Sequence, residues 1–270
     1  MRIALISLDQ RWLDKDANLA RCATLVGEAS DHGCELVVFP EMTLTGYCFD
    51  MKVVAEPEQE SLTLSRFGAL AKNTGLSIVF GASLIGHSSR MPRNQLCLAR
   101  PDGTSSAIYA KIHPFTFAGE DKALQAGSQL MIAKVGRLQF GASVCYDLRF
   151  PELYSAMAPT CNAAIVIANW PAKRVDHWRA LLVARAIENQ FYMFGVNRIG
   201  VDGNGLVYEK STLVVSPDGL LVEPKVRGKE LDVFDIDLED VTRYRADFPT
   251  VRDKQYSIYR NFFGDLIDVE

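Results

Sequence analysis

The chain has 270 residues, 48% hydrophobic and 23% charged, so it can bury a sizeable core without disulfide or metal staples. Its net charge is -4 and its basic residues are scattered, which argues against a nucleic-acid surface. No apolar stretch approaches the length of a membrane span.

The first apolar run, within Met1–Asp9, is too short for the core of a secretory leader and lacks a small-residue cleavage site, so it is expected to be a strand. Asp16 to Ala29 carries apolar residues at helical spacing (Leu19, Cys22, Ala23, Val26) and leads to Gly33. Leu36-Val37-Val38-Phe39 predicts a buried strand ending at Pro40-Glu41. Leu62 to Asn73 predicts a helix stopping at Gly75, and Ser77 to Ile85 a strand. Asn94–Arg100 and Ala107–Ile112 predict a hairpin around Pro101-Asp102-Gly103, and Met131–Val135 with Leu138–Val144 another around Gly136-Arg137.

Pro151 to Ala158 then predicts a short helix, and Ala163 to Ala168 a fully apolar strand. Val175 to Asn189 predicts a helix whose core-facing stripe includes Trp178, Leu181, Leu182, Ala184, Arg185 and Ile187. Phe191–Val196 follows as a strand. Hairpins turn at Asp202-Gly203-Asn204-Gly205 and at Pro217-Asp218-Gly219. Leu231–Ile236 is a late strand and Leu238–Ala246 a short helix. Strand–helix–strand units mixed with hairpins imply an α/β protein with mixed sheets layered between helices. No Pro/Ser/Gly-rich linker divides the chain.

The six cysteines (22, 34, 48, 97, 145 and 161) form no C-x-x-C and no metal-ligand spacing, which points to a reducing cytosol, no disulfide framework and no metal. Cys145 stands apart. An apolar strand, Phe140 to Val144, runs into it; a polar turn follows, and Pro151-Glu152 opens a helix. A thiol beside turn N–H groups and a helix start is expected to ionise easily and to offer donors to an oxyanion. By itself, though, Cys145 could equally be an inert buried cysteine.

Two other strand ends carry charge. Glu41 follows a buried strand, and Lys111 ends a hairpin strand among apolar and aromatic neighbours. An unpaired buried charge is costly, so each is expected to have a partner. A thiolate attacks a carbonyl or nitrile carbon, a carboxylate accepts the thiol proton and later activates water, and an ammonium stabilises the tetrahedral intermediate with a backbone N–H such as that of Tyr146.

Other chemistries fit less well. The four histidines (32, 87, 113 and 177) show no protease-like context and no His-x-x-x-His pair. Gly203 and Gly205 sit in a hairpin turn rather than a dinucleotide fingerprint.

Pro40-Glu41-Met42 with Gly46-Tyr47, Tyr109-Ala110-Lys111-Ile112-His113 with Phe115, and Val144-Cys145-Tyr146-Asp147-Leu148-Arg149-Phe150-Pro151-Glu152-Leu153 resemble, in order and spacing, the three catalytic motifs of the nitrilase superfamily, the carbon–nitrogen hydrolases. The similarity extends over nearly the whole chain. It implies a four-layer αββα sandwich with mixed sheets, one hydrolase domain over 1–270, no cofactor, and pairing across a helical face into a homodimer or larger homo-oligomer. It makes Glu41 the general base, Lys111 the oxyanion-stabilising cation, Cys145 the nucleophile and Glu120, in Phe117-Ala118-Gly119-Glu120, a positioning carboxylate.

Cys145-Tyr146-Asp147 departs from the Cys-Trp-Glu usual in true nitrilases and favours an amidase. Asn169-Trp170-Pro171-Ala172-Lys173-Arg174, His177-Trp178, Ala184 to Gln190 and Asn197-Arg198-Ile199-Gly200 look like the ω-amidase group, which implies hydrolysis of small α-keto acid amides such as 2-oxoglutaramate. Lys173 and Arg174 are then candidates for the substrate carboxylate, although they could merely solvate a helix start. Tyr47, Phe49, Phe115, Phe117 and Trp170 are candidate pocket walls, and Tyr146 a substrate contact. Arg149 is expected to pair with Asp147 or Glu152. The alternatives are another amidase of the superfamily (of the deaminated-glutathione or carbamoyl type), acyl transfer through the same thioester, and a catalytically silent protein on the same fold.

Overall fold

Side-chain alternation along the strands creates two buried faces on each sheet. In the Arg2–Ile6 strand, Ile3 and Leu5 point one way and Ala4 and Ile6 the other, and all four are buried. The structure, a computed structural model, describes residues 1–87, 89 and 91–265.

One sheet has the order Val226–Arg227, Leu231–Asp235, Arg2–Ile6, Leu36–Val38, Ser77–Ile85, Arg93–Ala99, Ser105–Ala110, with the short Glu56–Pro57 strand beside Ser77–Ile85. Its Arg2–Ile6, Leu36–Val38 and Ser77–Ile85 strands are parallel, and the hairpin partners antiparallel. The second sheet has the order Leu221–Val222, Leu213–Val215, Tyr192–Asn197, Ala163–Ala168, Leu138–Val144, Ile132–Val135, with the three long central strands parallel.

Three apolar clusters define four layers. Ile3, Leu5 and Val38 of the first sheet meet Phe140, Ile165 and Phe194 of the second in the middle. On the outer face of the first sheet, Ala4, Val37 and Phe80 pack on Leu25 and Val26 of the Lys15–Asp31 helix and Phe67 of the Leu62–Thr74 helix. On the outer face of the second, Ala164, Val166 and Met193 pack on Tyr154 and Met157 of the Pro151–Met157 helix and Trp178 and Leu182 of the Val175–Asn189 helix. Each such large apolar side chain contributes about 1.5–3 kcal/mol when buried. This is the expected αββα sandwich.

Local signals account for the helix ends. Asp14 caps the first long helix through Ala17 N (3.0 Å), and Ser61 caps the next through Leu64 N (3.1 Å). Gly75, at φ 72°, ends the latter in the left-handed conformation. The Val175–Asn189 helix lies so close to its sheet that a Cβ on Gly195 would come within 2.4 Å of Leu182 Cδ1. Ile187, expected in its core stripe, is instead half exposed beside the Gly219 hairpin tip, and Ala186 and Asn189 complete the buried face. A C-terminal helix, Tyr256–Asp265, was not predicted by periodicity. Among the described residues, no helix is long and apolar enough to cross a membrane.

Candidate active site

Open α/β sheets place their chemistry beyond the carboxyl ends of parallel strands. Here Val38 leads to Glu41, Val144 to Cys145 and Ala168 to Asn169, and Lys111 follows the Ser105–Ala110 strand. Two of these turns are strained. Cys145 has φ 47° and Met42, next to Glu41, φ 44°, a left-handed conformation that costs about 1–3 kcal/mol for residues with a Cβ. Gly81 permits the second: a Cβ there would lie 2.4 Å from Met42 N and 2.8 Å from Glu41 Cα.

Glu41 is fully buried. Its Oε1 accepts from Asn94 Nδ2 at 2.6 Å and Lys111 Nζ at 3.3 Å, and its Oε2 accepts from the Asn169 backbone N–H at 2.9 Å. Lys111 Nζ donates to Glu120 Oε2 at 2.7 Å. Glu120, also fully buried, accepts in addition from Asn94 Nδ2 (3.0 Å), the Phe115 N–H (2.7 Å) and the Tyr47 hydroxyl (2.9 Å). One ammonium therefore sits between two carboxylates, and every remaining carboxylate contact is a donor. The Cys145 thiol lies 4.0 Å from the Asn169 carbonyl, so Asn169 touches both the thiol and the Glu41 carboxylate.

Burial alone would lower the Lys111 pKa, but the charges of Glu41 and Glu120 outweigh it and hold the ammonium above its ordinary value. Burial pushes the Glu120 carboxyl upward; the Lys111 charge and the bonds from Lys111, Phe115 and Asn94 overcome that and hold it below the usual range. Tyr47 stays a neutral donor, raised by burial and by the Glu120 and Glu41 charges.

Cys145 corrects the expectation of an easily ionised thiol. Burial, then the Glu41 charge, raises it well above its ordinary value, and Lys111, already compensated by two carboxylates, does not reverse this. A thiol held in this way is best activated by a base that takes its proton as it attacks.

Asp147 is not held by Arg149. Its oxygens accept from Tyr109 Oη (2.7 Å), Val144 N (3.0 Å) and His113 N (3.0 Å), and its Oδ1 lies 2.9 Å from His113 Nδ1. It thus fixes the cysteine turn to the loop after Lys111. Arg149 instead stacks on Trp170, 4.8 Å from the ring centroid, and lines the pocket.

That pocket, of ≈ 80 Å³, has room for roughly three water-sized groups at about 30 Å³ each. Cys145, Tyr47, Tyr146, Trp170 and Arg174 line it, as do Asn169 and Tyr208. Three expected residues, Phe49, Phe117 and Lys173, do not. Phe117 is 87% exposed, outside the pocket and tilted against Phe115, and Lys173 is exposed and also outside it. Phe49 packs edge-on against Tyr47. Asn94, Arg149 and Tyr208 were not expected in the site; Asn94 lies among other polar residues, Arg93 and Gln95, at the start of its strand, so its sequence carried no distinctive signal.

Comparison with known proteins decides the family. The carbon–nitrogen hydrolase family model matches residues 2–246. The chain belongs to the carbon–nitrogen hydrolases. Its chemistry is accordingly hydrolysis of an amide carbon–nitrogen bond. It is 32% identical over 255 residues to the omega-amidase YafV of Yersinia enterocolitica, covering 94% of this chain and 96% of the relative. It is 27% identical over 259 residues to the 2-oxoglutaramate amidase of Bacillus subtilis, covering 95% and 98%. Among solved structures it resembles a CN-hydrolase superfamily protein of Xanthomonas campestris with an arsenic adduct in the active site (TM-score 0.85, 28% identity, 94% and 97% covered). It also resembles a mutant amidase of Nesterenkonia sp. AN1 with acrylamide added at the active-site cysteine (TM-score 0.82, 26% identity, 97% and 99% covered).

Proposed function

We propose that this hydrolase cleaves the terminal amide of a small carboxylate-bearing amide, the ω-amide of an α-keto acid such as 2-oxoglutaramate, to the acid and ammonia. Glu41 takes the Cys145 proton as Sγ attacks the amide carbon. The resulting oxyanion meets the Lys111 ammonium and the Tyr146 N–H. The carbon–nitrogen bond breaks as Glu41 returns the proton to the departing ammonia, leaving a thioester on Cys145. Water, deprotonated by Glu41, then attacks the thioester; the acid leaves and the thiol takes back its proton. Glu120 positions Lys111, and Arg174 takes the substrate carboxylate.

The observation that carries this reading is the Lys111 ammonium held at 2.7 Å and 3.3 Å by two buried carboxylates in the site that also contains the thiol. The small pocket and the activities named for the relatives support the substrate class. The same reading takes residues 1–270 as one hydrolase unit, a homodimer or larger homo-oligomer in the cytoplasm. The test is ammonia release across a panel of 2-oxoglutaramate, succinamate, neutral aliphatic amides, carbamoyl compounds and nitriles. The highest kcat/KM is expected for the anionic ω-amides. A preference for neutral amides, carbamoyl compounds or nitriles would overturn it.

A further inference from the structure

The rim of the pocket closes into a ring with a cation on either side. The Arg174 guanidinium lies over the Phe115 ring at 5.6 Å. Phe115 packs on Tyr146 at 4.8 Å between centroids, and Tyr146 lies under Arg149 at 6.0 Å. Arg149 stacks on Trp170 at 4.8 Å, and Trp170 Nε1 donates back to the Arg174 carbonyl at 2.7 Å. Arg149, Arg174, Tyr146 and Trp170 all line the cavity that contains Cys145.

Neither guanidinium has an ion-pair partner among the described residues; the one polar side-chain contact of Arg149 is His177 Nδ1 at 3.5 Å. Among the described residues, no Asp or Glu lines the pocket, and the buried Glu41 and Glu120 are engaged by Lys111. Two like charges on one rim repel, and an anion between them removes that cost. Aromatic backing orients a guanidinium while leaving its N–H fork free. A planar carboxylate is the group that such forks bind in bidentate fashion.

We propose that Arg149 and Arg174 together form an anion clamp at the pocket mouth, with Arg149 a specificity-determining residue that selects amides whose far end carries a carboxylate. This rests on the ω-amide reading above and extends it from one cation to two. Both guanidinium groups and the thiol line the same small cavity, so one small substrate would meet all three.

The test compares kcat/KM for succinamate and for butyramide, a neutral amide of similar length, in the wild type and in Arg149→Gln, Arg149→Lys and Arg174→Gln. Either Gln variant is expected to lower the succinamate-to-butyramide ratio roughly tenfold or more, chiefly through KM for succinamate. Arg149→Lys, which keeps the charge without the fork, should fall between Arg149→Gln and the wild type. Succinate binding to Cys145→Ala, measured by calorimetry, should weaken when Arg149→Gln is added and should weaken with rising salt. A ratio unchanged by Arg149→Gln, or succinate binding indifferent to it, would overturn the clamp. A wild-type enzyme that prefers butyramide would instead overturn the substrate reading on which the clamp is built.

Discussion

Asn169 holds Glu41 at two points: its backbone N–H donates to Oε2 at 2.9 Å, and its side-chain amide donates to the Glu41 carbonyl at 2.7 Å. The Asn169 carbonyl faces the Cys145 thiol at 4.0 Å. A residue at the end of the Ala163–Ala168 strand therefore ties the proposed base on one sheet to the nucleophile on the other.

Asn169→Ala keeps the backbone bond and removes the side-chain one. With a hydrogen bond of this kind worth about 0.5–1.5 kcal/mol, kcat should fall about three- to tenfold while KM for succinamate moves little. Steady-state kinetics check this; an effect confined to KM would place Asn169 in substrate binding instead.

Glu120→Gln leaves the buried Lys111 with one carboxylate. Breaking a buried pair destabilises by about 3–5 kcal/mol, so thermal unfolding should occur at a lower temperature. One of the two charges raising the Lys111 pKa would be gone, so any alkaline loss of activity that follows Lys111 should move to lower pH. An unchanged pH–rate profile with wild-type turnover would remove Glu120 from the positioning of Lys111.

Gly81→Ala forces a methyl group to 2.4 Å from Met42 N and 2.8 Å from Glu41 Cα. Because both are backbone atoms, the Glu41 turn must shift. Activity should drop roughly 10²-fold, as expected for misplacement of about 1 Å near a reacting group. Gly27→Ala, inside the Lys15–Asp31 helix with nothing within 4 Å of the new Cβ, is the control, expected to raise stability by about 0.5–1 kcal/mol. Comparable losses in both variants would contradict the steric argument.

The central strands and the hairpins were legible because strand alternation and turn chemistry are local, whereas the four layers followed from the family resemblance. Glu41, Lys111, Cys145 and Glu120 were legible from their motifs, and the structure brings Glu41, Lys111 and Glu120 into one buried network. What faces what across the sheets was not legible. Arg149 was expected on Asp147, but Tyr109 and His113, distant in sequence, already occupy that carboxylate. Phe117 has an aromatic neighbour in sequence, yet its ring projects outward at 87% exposure. The thiol was expected to ionise readily because its turn looked favourable; its burial and the nearby Glu41 charge lie outside the local motif.

Away from the site, Glu56 accepts from Lys15 Nζ (2.7 Å), Ser61 Oγ (2.6 Å) and Thr63 Oγ1 (2.7 Å). Burial pushes its pKa upward, but these bonds win and lower it from 4.5 to about 2. A depressed carboxylate lends stability that is complete above pH 4.5 and is lost as pH falls toward 2. Allowing for its partial exposure, the contribution is about 1–2 kcal/mol. Glu56→Gln should therefore melt at a lower temperature than the wild type at pH 7, with the gap closing toward pH 2. A gap independent of pH would refute the assignment.

The acyl-enzyme is the most direct test of the account. Protein quenched in acid during turnover of succinamate should show, by intact mass and peptide mapping, a succinyl group on Cys145. Cys145→Ala should show no adduct and release no ammonia, while unfolding at the wild-type temperature. Continued ammonia release by a folded Cys145→Ala protein, or an acyl group on another residue, would contradict hydrolysis through a Cys145 thioester.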